Sequence, residues 1–322
     1  MRTAEFVSPK HPDKVCDIIA DSILDECLRQ DPESRVAVEV MGGHGIITLT
    51  GEITTKAYVN VRDVVESVVG KRYGVQSNIV SQSPEISRGV DSGGAGDQGI
   101  MRGYATRETE SMMPLEYSLA RDLCRFIYKR HQSDGKTQIT IGNDEAIAVV
   151  VASFQGISHK ELEGIVKEWL QGHMSKPTIY INPAGDWNLG GLDADTGLTG
   201  RKLCIDNYGT RFPVGGGSFS GKDPSKVDRS GAYMARKIAV DTLNHNPEMK
   251  EVSVELAYAI GVAEPVEVSV SSVDYNGDKG YIAVPKHNLT PKGIIDFLDL
   301  KKPIYRRTAK WGHFGNNLPW DE

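Results

Sequence analysis

Two glycine-containing stretches combine cations with carboxylates in a way that suits a phosphorylated ligand. One is Gly200-Arg201-Lys202, and the other is residues 221–229, which read Gly-Lys-Asp-Pro-Ser-Lys-Val-Asp-Arg. Small residues let a ligand approach the backbone, and Lys and Arg form charge-assisted hydrogen bonds with phosphate oxygens. Because Mg²⁺ takes one or two protein carboxylates plus phosphate oxygens, the neighbouring aspartates indicate a magnesium–polyphosphate site. Charge alone would instead favour a solvated helix start with surface ion pairs.

The N-terminal segment has a similar mix of charges, since His11, Asp13 and Lys14 follow one another closely. Two glycine motifs nearby suggest other nucleotide sites. Residues 94–99 fit the dinucleotide-binding pattern G-x-G-x-x-G, but no apolar strand precedes them. Residues 216–222 fit G-x-x-x-x-G-K, but Asp223 follows where a P-loop needs Ser or Thr for magnesium. Neither motif has the context that its chemistry requires.

Three stretches of the chain repeat the order helix, hairpin, helix, strand, and these elements must position the charged segments. In the first, apolar residues every four positions predict a helix over 15–27, followed by strands at 36–40 and 46–53 and a helix at 61–68. The second predicts helices over 115–126 and 158–169 and strands at 137–141, 146–154 and 178–181. The third predicts helices at 231–243 and 291–298 and strands at 252–260, 266–273 and near Ile304.

The repeat predicts an α+β protein with three units, each a sheet covered by helices on its outer face. We expect domains at 1–84, 94–185 and 186–322. Residues 81–103, 185–200 and 208–228 lack a clear helix or strand pattern. Because long loops without pattern are usually functional or disordered, and these carry many charges, we expect them to contribute to the site.

Composition excludes several classes of protein. The chain of 322 residues is 39% hydrophobic and 25% charged, with a net charge of −6, which argues against a nucleic-acid partner. No run approaches the ~18 apolar residues of a membrane span, so we expect a cytoplasmic protein without a membrane partner. The spacing of the four cysteines favours reduced, largely buried thiols over zinc or disulfides; they are Cys16, Cys27, Cys124 and Cys204.

Nearly the whole chain resembles the S-adenosylmethionine synthetase (methionine adenosyltransferase) family. The most specific matches are residues 94–99 with Tyr104 beyond, and residues 215–223, which read Gly-Gly-Gly-Ser-Phe-Ser-Gly-Lys-Asp. Supporting matches are residues 11–14, 51–55, 197–202, 261–265 and 312–315. The resemblance implies pseudo-threefold symmetry of the three domains. It also implies a homodimer with active sites at the subunit interface, which can pair into tetramers.

The resemblance implies that L-methionine attacks C5′ of ATP and that the triphosphate is then hydrolysed to phosphate and pyrophosphate. It implies Mg²⁺, two per active site, and K⁺ as cofactors. Matching positions assign the catalytic residues His11, Lys136, Arg201 and Lys222. The ATP-binding set is His11, Asp134, Lys136, Asp195, Arg201, Lys202, Ser218 and Lys222, and the methionine-binding set is Glu52, Gln82, Asp97, Asp195 and Lys226. Asp13 and Asp228 match magnesium ligands, and Glu39 matches a position near K⁺.

The chain departs from the family pattern at several positions. Asp186-Trp187 replaces the family Arg-Phe, so a positive contact near the nucleotide is lost, although Trp187 could stack on adenine. The segment around residues 91–94 is shorter than in common members, which trims the loop that gates the active site from Gln82 onward. These changes leave a second interpretation open, in which the chain is a catalytically weak regulatory paralogue that binds nucleotide.

Overall fold

A computed structural model describes residues 1–82, 93–283 and 286–322, and the gating loop expected after Gln82 lies largely outside them. The first stretch contains a buried helix, a hairpin that packs against it, a second helix and a parallel strand. Its elements are β1 (Arg2–Val7), α1 (Pro12–Gln30), β2 (Arg35–Gly43), β3 (Ile46–Thr54), α2 (Val61–Val69) and β4 (Gly74–Val80). The order predicted for this stretch is confirmed.

The second stretch repeats this order after an initial strand. Its elements are β5 (Gly99–Thr106), α3 (Leu115–Tyr128), β6 (Gly135–Ile141), β7 (Ile147–Phe154), α4 (His159–Leu170) and β8 (Thr178–Ile181). Helix α4 begins as its sequence predicts, because the Ser158 hydroxyl accepts a hydrogen bond from the Glu161 amide at 3.3 Å.

The third stretch departs from the predicted order near its end. Its elements are β9 (Gly197–Leu198), α5 (Leu203–Asp206), α6 (Val227–His245), β10 (Met249–Tyr258), β11 (Glu267–Asp274), β12 (Lys279–Tyr281), α7 (Pro291–Phe297) and α8 (Tyr305–Trp311). The strand predicted near Ile304 is wrong, because a helix begins there. The Asp25 carboxylate accepts the first two amides of α8, from Tyr305 and Arg306, each at 2.9 Å.

Each of the three sheets contains one strand from another stretch of the chain. The β2 sheet has the order β4-β3-β2-β9, the β6 sheet β1-β6-β7-β8, and the β10 sheet β12-β11-β10-β5. Thus β1 extends the sheet of the second stretch, β5 that of the third, and β9 that of the first. The α+β class and the three domains are confirmed, and the exchanged strands tie the three sheets together.

The helices cover one face of each sheet, and that face points into the molecule. Helix α1 packs on β2, α3 on β1 and β6, and α6 on β5 and β10. Both α1 and α6 are buried on nearly all sides, whereas exposed apolar side chains such as Met41, Ile46 and Ile100 lie on the opposite sheet faces. The sheet faces that the helices leave uncovered are thus the ones that carry exposed apolar side chains.

The predicted loop at residues 81–103 is wrong in its last part, because Gly99–Thr106 forms β5. Gly103 interrupts the apolar alternation of this strand, which is why the sequence hides it. A Cβ at Gly103 would lie 2.1 Å from the backbone of Ala235, so only glycine allows β5 to pack this closely on α6.

The cysteines agree with the sequence expectation in the part of the chain that is described. Cys16, Cys27 and Cys124 are buried free thiols, and Cys204 is exposed. Burial raises the pKa of the Cys27 thiol to about 12, so it stays protonated. Among the described residues, no helix is both long and apolar enough to cross a bilayer.

Candidate active site

The N-terminus of α1 presents His11 in a defined protonation state. His11 is the N-cap residue, and its Nδ1 accepts a hydrogen bond from the Asp13 amide at 3.2 Å. Burial, together with the nearby Lys202 cation, lowers the pKa of His11 to about 4. The ring is therefore neutral at neutral pH, and because Nδ1 is an acceptor, its proton is on Nε2. His11 can donate a hydrogen bond from Nε2 without carrying a positive charge.

Asp13 is a buried carboxylate that connects α1 to the segment after β9. Its Oδ1 accepts from the Leu198 amide at 2.9 Å and lies 3.3 Å from Arg201 Nε, and its Oδ2 lies 2.5 Å from Lys202 Nζ. Burial alone would raise the pKa of Asp13, but the hydrogen bonds from Lys202 and Leu198 hold it below its usual value. Asp13 is therefore ionised and pairs with two cations.

Two further predicted residues, Lys136 and Asp195, lie within electrostatic range of His11, and a third, Asp134, lies within range of both. The charge of Lys136 lowers the pKa of His11 and that of Asp195 raises it. Asp134 Oδ2 accepts from the Gly191 amide at 2.8 Å, and burial raises the pKa of Asp134. The structure thus brings together seven predicted residues, which we call the His11 cluster: His11, Asp13, Asp134, Lys136, Asp195, Arg201 and Lys202.

A second group of predicted residues, the Lys222 cluster, lines a cavity of about 700 Å³. Lys222 Nζ lies 2.6 Å from Asp228 Oδ2, at the start of α6. A Cβ on Gly217 would lie 2.1 Å from the Asp228 side chain, so the triple glycine of residues 215–217 passes directly over this carboxylate. Asp97 and Ser218 also line the cavity, and they complete the cluster of Asp97, Ser218, Lys222 and Asp228.

Glu39 lies between the two clusters. The Thr199 hydroxyl donates a hydrogen bond to Glu39 Oε2, and Thr199 follows β9 directly. Burial raises the pKa of Glu39, and the Thr199 hydrogen bond and the charge of Lys222 oppose that rise. Within residues 1–82, 93–283 and 286–322, no group of three or more His, Cys, Asp or Glu side chains could hold a metal ion. A metal here would need ligands from a bound substrate.

Glu52 lies on the β2 sheet in register with Lys222, and Gln82 follows β4 at the edge of that sheet. Ala37 of β2 pairs with Glu52 on one side and bridges Lys222 on the other, and Glu52 pairs with Val80 of β4. Because neighbouring strands are about 4.8 Å apart, Glu52 and Lys222 are about two strand spacings apart. The Gln82 amide donates to Thr54 at 3.0 Å. These contacts bring Glu52 and Gln82, which are predicted to bind the substrate methionine, close to the segment that carries Lys222.

Lys226 is not part of either cluster in this chain. Its Nζ forms an ion pair with Asp223, whose Oδ2 also accepts from the Val36 amide at 2.7 Å. The buried Asp223 therefore directs Lys226 toward the start of β2 and away from Asp228.

Comparison with known proteins places this chain in a family. Family models match three consecutive segments: the N-terminal domain of S-adenosylmethionine synthetase at residues 1–85, the central domain at 92–187 and the C-terminal domain at 189–322. Together they cover almost the whole chain. The chain belongs to the S-adenosylmethionine synthetase family.

Curated relatives agree with the family models. The chain is 40% identical to the S-adenosylmethionine synthase of Brachyspira hyodysenteriae over 370 aligned positions, covering 98% of this chain and 93% of that protein. It is 40% identical to that of Staphylococcus epidermidis and 39% identical to that of Petrotoga mobilis, covering 99% of this chain in both cases. Because 370 positions exceed the 322 residues of this chain, the relative has internal residues that this chain lacks.

One departure from the S-adenosylmethionine synthetase pattern has a local structural role. Asn182 donates from Nδ2 to the Asp186 carboxylate at 3.0 Å, and this hydrogen bond lowers the pKa of Asp186. The Trp187 ring covers Gly190, where a Cβ would lie 2.6 Å from it. Asp186 thus closes the turn that places Trp187 against the segment leading into Asp195.

The sequence analysis missed a set of buried charges behind this synthetase-family site. Lys14 Nζ lies 2.6 Å from Asp206 and 3.3 Å from Asp17, and the Arg229 guanidinium binds both carboxylate oxygens of Asp21 at 2.7 and 2.8 Å. A signal for them was present, because aspartates recur every fourth residue along α1: Asp13, Asp17, Asp21 and Asp25. Only the apolar residues of the same helix were used to predict it, and the row of aspartates was not considered.

Proposed function

We propose that this protein makes S-adenosylmethionine from ATP and L-methionine and then hydrolyses the triphosphate to phosphate and pyrophosphate. The methionine sulfur attacks C5′ of ATP directly, and a thioether needs no general base. The observation that carries the proposal is the neutral His11, with Nε2 as donor, beside Lys202 and Arg201. A donor and two cations are what a departing triphosphate requires, because negative charge grows on its bridging oxygen.

The phosphate-binding roles follow from charge and position. His11 donates to the bridging oxygen, and Lys136, Arg201, Lys202 and Lys222 bind the non-bridging oxygens, assisted by the Ser218 hydroxyl. Because Arg201 and Lys202 pair with Asp13, Lys222 pairs with Asp228 and Lys136 pairs with Glu5, the site is close to charge balance before a ligand binds. Asp134 contacts the adenosine part of ATP, and Trp187 stacks on the adenine ring.

Methionine is proposed to bind on the β2 sheet. Glu52 holds the α-ammonium group and Gln82 pairs with the amino-acid head group. Asp97 of the Lys222 cluster and Asp195 of the His11 cluster, both exposed, stabilise the positive charge that forms on sulfur. Lys226 is a further residue that binds the substrate methionine. To do so, it must replace its ion pair with Asp223 by an ion pair with the substrate carboxylate.

Two Mg²⁺ ions and one K⁺ are proposed as cofactors. The ion pairs of Asp13 with Lys202 at 2.5 Å and of Asp228 with Lys222 at 2.6 Å support these carboxylates as Mg²⁺ ligands, since each already has a cation beside it. The small number of protein ligands also fits, since Mg²⁺ is often held by one or two carboxylates plus phosphate oxygens. When bound, the ions neutralise charge on the triphosphate. Glu39, with its buried oxygen beside Thr199, is the residue proposed to lie near K⁺.

We further propose a homodimer with active sites at the subunit interface, able to pair into tetramers, in the cytoplasm. Exposed apolar residues on the outward sheet faces, among them Met41, Ile46 and Ile100, support association through those faces. The alternative of a regulatory paralogue that binds nucleotide is disfavoured, because the relatives are named synthases and both charged clusters are intact.

The decisive experiment incubates the protein with ATP, methionine labelled on its methyl group, Mg²⁺ and K⁺. Labelled sulfonium product, phosphate and pyrophosphate should form in equal amounts. Omitting methionine is the control for simple ATP hydrolysis. Binding of ATP without any sulfonium product would instead support the regulatory alternative.

A further inference from the structure

Helix α1 carries a row of four buried aspartates, which accept backbone amides from three segments of the chain beyond residue 197. Asp13 accepts from Leu198 at 2.9 Å and Asp17 from Gly200 at 3.0 Å. Asp21 accepts from Gly221 at 2.9 Å, and Asp25 accepts the first two amides of α8. Because residues four apart are neighbours on a helix surface, the row forms a line of acceptors that winds slowly around α1.

Gly200, whose amide donates to Asp17, lies between the two charged clusters. Gly200 directly precedes Arg201 and Lys202 of the His11 cluster. A Cβ on Gly200 would lie 2.9 Å from the Cβ of Ser218 in the Lys222 cluster, and the φ of Gly200 is +77°. Gly200 is therefore confined between Asp17 and Ser218, and its position sets where the next two side chains begin.

Asp17 is itself fixed by a buried ion pair. Its carboxylate is 1% exposed and lies 3.3 Å from Lys14 Nζ, and Lys14 in turn binds both oxygens of Asp206 at 2.7 and 2.6 Å. Asp206 lies in α5, which begins immediately after Lys202. The loop carrying Arg201 and Lys202 is thus held at both ends, by Asp17 before it and by Lys14 through Asp206 after it.

We propose that Asp17 is a positioning residue for the reaction, holding Gly200 so that Arg201 and Lys202 meet the triphosphate of ATP. The inference rests on the proposed function. Asp17 is not among the residues proposed to bind substrate or a cation, and it acts through the backbone that carries Arg201 and Lys202. A displacement of substrate-binding groups such as Arg201 and Lys202 by about 1 Å can lower the rate about a hundredfold. The hydrogen bond from Gly200 to Asp17 therefore matters for turnover.

The test compares Asp17→Ala with Asp25→Ala, a matched control from the same row. Asp25 is 8% exposed and also accepts backbone amides, but α8 carries none of the predicted site residues. Both variants should melt at a lower temperature than wild type. Measured well below melting, Asp17→Ala should lose at least ~tenfold in kcat with the KM for methionine nearly unchanged. Asp25→Ala should keep a kcat close to that of wild type.

The conservative variant Asp17→Asn separates positioning from a general loss of stability. Its side-chain oxygen can still accept from Gly200, and Lys14 keeps its partner Asp206, so most of the kcat should return. An undiminished kcat in Asp17→Ala, an equal loss in Asp25→Ala, or no rescue by Asn would each overturn the proposal. If the alanine variants fail to fold, Asp17→Glu and Asp25→Glu, which move the carboxylate by one methylene, carry the same comparison.

Failure of the proposed function would look different. If the wild-type protein forms no sulfonium product, that function is refuted. The effect of Asp17 on the position of Gly200 can then be measured without an activity assay. Hydrogen exchange of the amides at residues 198–202 should then be faster in Asp17→Ala than in wild type, while the amides of α8 remain as protected as before. Unchanged exchange at residues 198–202 would overturn the positioning role.

Discussion

At the residue scale, His11 is a neutral hydrogen-bond donor that lies beside the Lys202 cation. If it stabilises the departing triphosphate, His11→Ala should lower kcat for synthesis by about 10²–10³, because one lost donor to a developing oxyanion has this effect. The Kd for ATP should change little, since the contact strengthens only as the C5′–O bond breaks. Steady-state kinetics and equilibrium ATP binding measure the two quantities.

Hydrolysis of added tripolyphosphate provides the control for His11, because that step breaks a different bond and should be affected less. The competing view is that His11 merely caps α1, accepting from the Asp13 amide. Loss of a cap costs about 1 kcal/mol and would reduce both activities together with the melting temperature. Equal losses in the two activities and a lower melting temperature would rule out the catalytic role.

The pKa of His11 gives a second prediction at this scale. Burial places the pKa near 4 in the folded protein, below the ordinary value of 6.5. Between these values the unfolded chain binds more protons, so the contribution of His11 to stability is complete above 6.5 and is lost as pH falls toward 4. Because the His11 ring stays neutral down to a pH near 4, the pH profile of kcat should show no decline centred near 6.5. A decline there that disappears in His11→Gln would contradict the assignment.

Lys222 carries the third prediction. Its ammonium group lies 2.6 Å from Asp228 over the 700 Å³ cavity, ready to exchange that partner for a phosphate oxygen. Lys222→Ala should lower kcat/KM about a hundredfold, because a charge-assisted contact to a developing anion is worth ~3 kcal/mol. The exposed Lys160 of α4 is the control, and its alanine variant should match wild type. Near-normal turnover in Lys222→Ala would assign Lys222 to a surface ion pair.

At the element scale, the β2 sheet depends on a glycine that no periodicity marks. Gly51 has a φ of +139°, and a Cβ there would lie 2.0 Å from the Ala37 carbonyl oxygen. Gly51→Ala should therefore lower the free energy of unfolding by at least ~2 kcal/mol, and it should raise the KM for methionine because Glu52 follows directly. Urea denaturation and initial rates give the two values.

A second glycine supplies the control for Gly51→Ala. Gly164 lies on the exposed side of α4, and a Cβ there would have no neighbour within 4 Å. Gly164→Ala should raise the free energy of unfolding by ~0.5–1 kcal/mol, since alanine has the higher helix propensity, and should leave both KM values unchanged. A Gly51→Ala variant as stable as wild type would show that the sheet can shift to accept a side chain.

The elements that the sequence predicted are those with an uninterrupted period. The apolar stripes of α1 and α3 and the alternation in β2 each identify an element from local residues alone. Strand β5 was missed because Gly103 replaces a side chain that α6 leaves no room for. The helix α8 was mistaken for a strand because its capping carboxylate, Asp25, lies far away in the sequence. Long-range partners of this kind leave no local pattern.

At the scale of the whole molecule, the three domains are not independent of one another, because each sheet includes a strand from another part of the chain. Removing β1 would leave an unpaired edge on β6, because residues 2–7 pair with residues 136–141. Removing β9 would likewise detach Thr199 from β2 and from Glu39. Each sheet therefore needs strands from two parts of the chain, and the charged clusters depend on that exchange. That dependence explains why site residues recognised by resemblance could be named from the sequence while their mutual geometry could not.

The last prediction concerns how two copies of the molecule share the site. In one chain, the His11 cluster and the Lys222 cavity have no residue in common. If each active site takes one cluster from each subunit, a heterodimer of His11→Ala and Lys222→Ala has one intact site and one site that lacks both residues. Random mixing gives half heterodimers, so co-refolded protein should recover about a quarter of wild-type activity.

Each variant refolded alone is the control for this mixing experiment and should stay inactive at the level of its own mutation. Co-refolding with the stability control Gly164→Ala tests whether the refolding step itself preserves activity. If both clusters serve one site within the same chain, every site in the mixture lacks one residue, and the mixture stays as inactive as the two variants. That outcome would contradict a shared interface site while leaving the reaction proposed for the chain untouched.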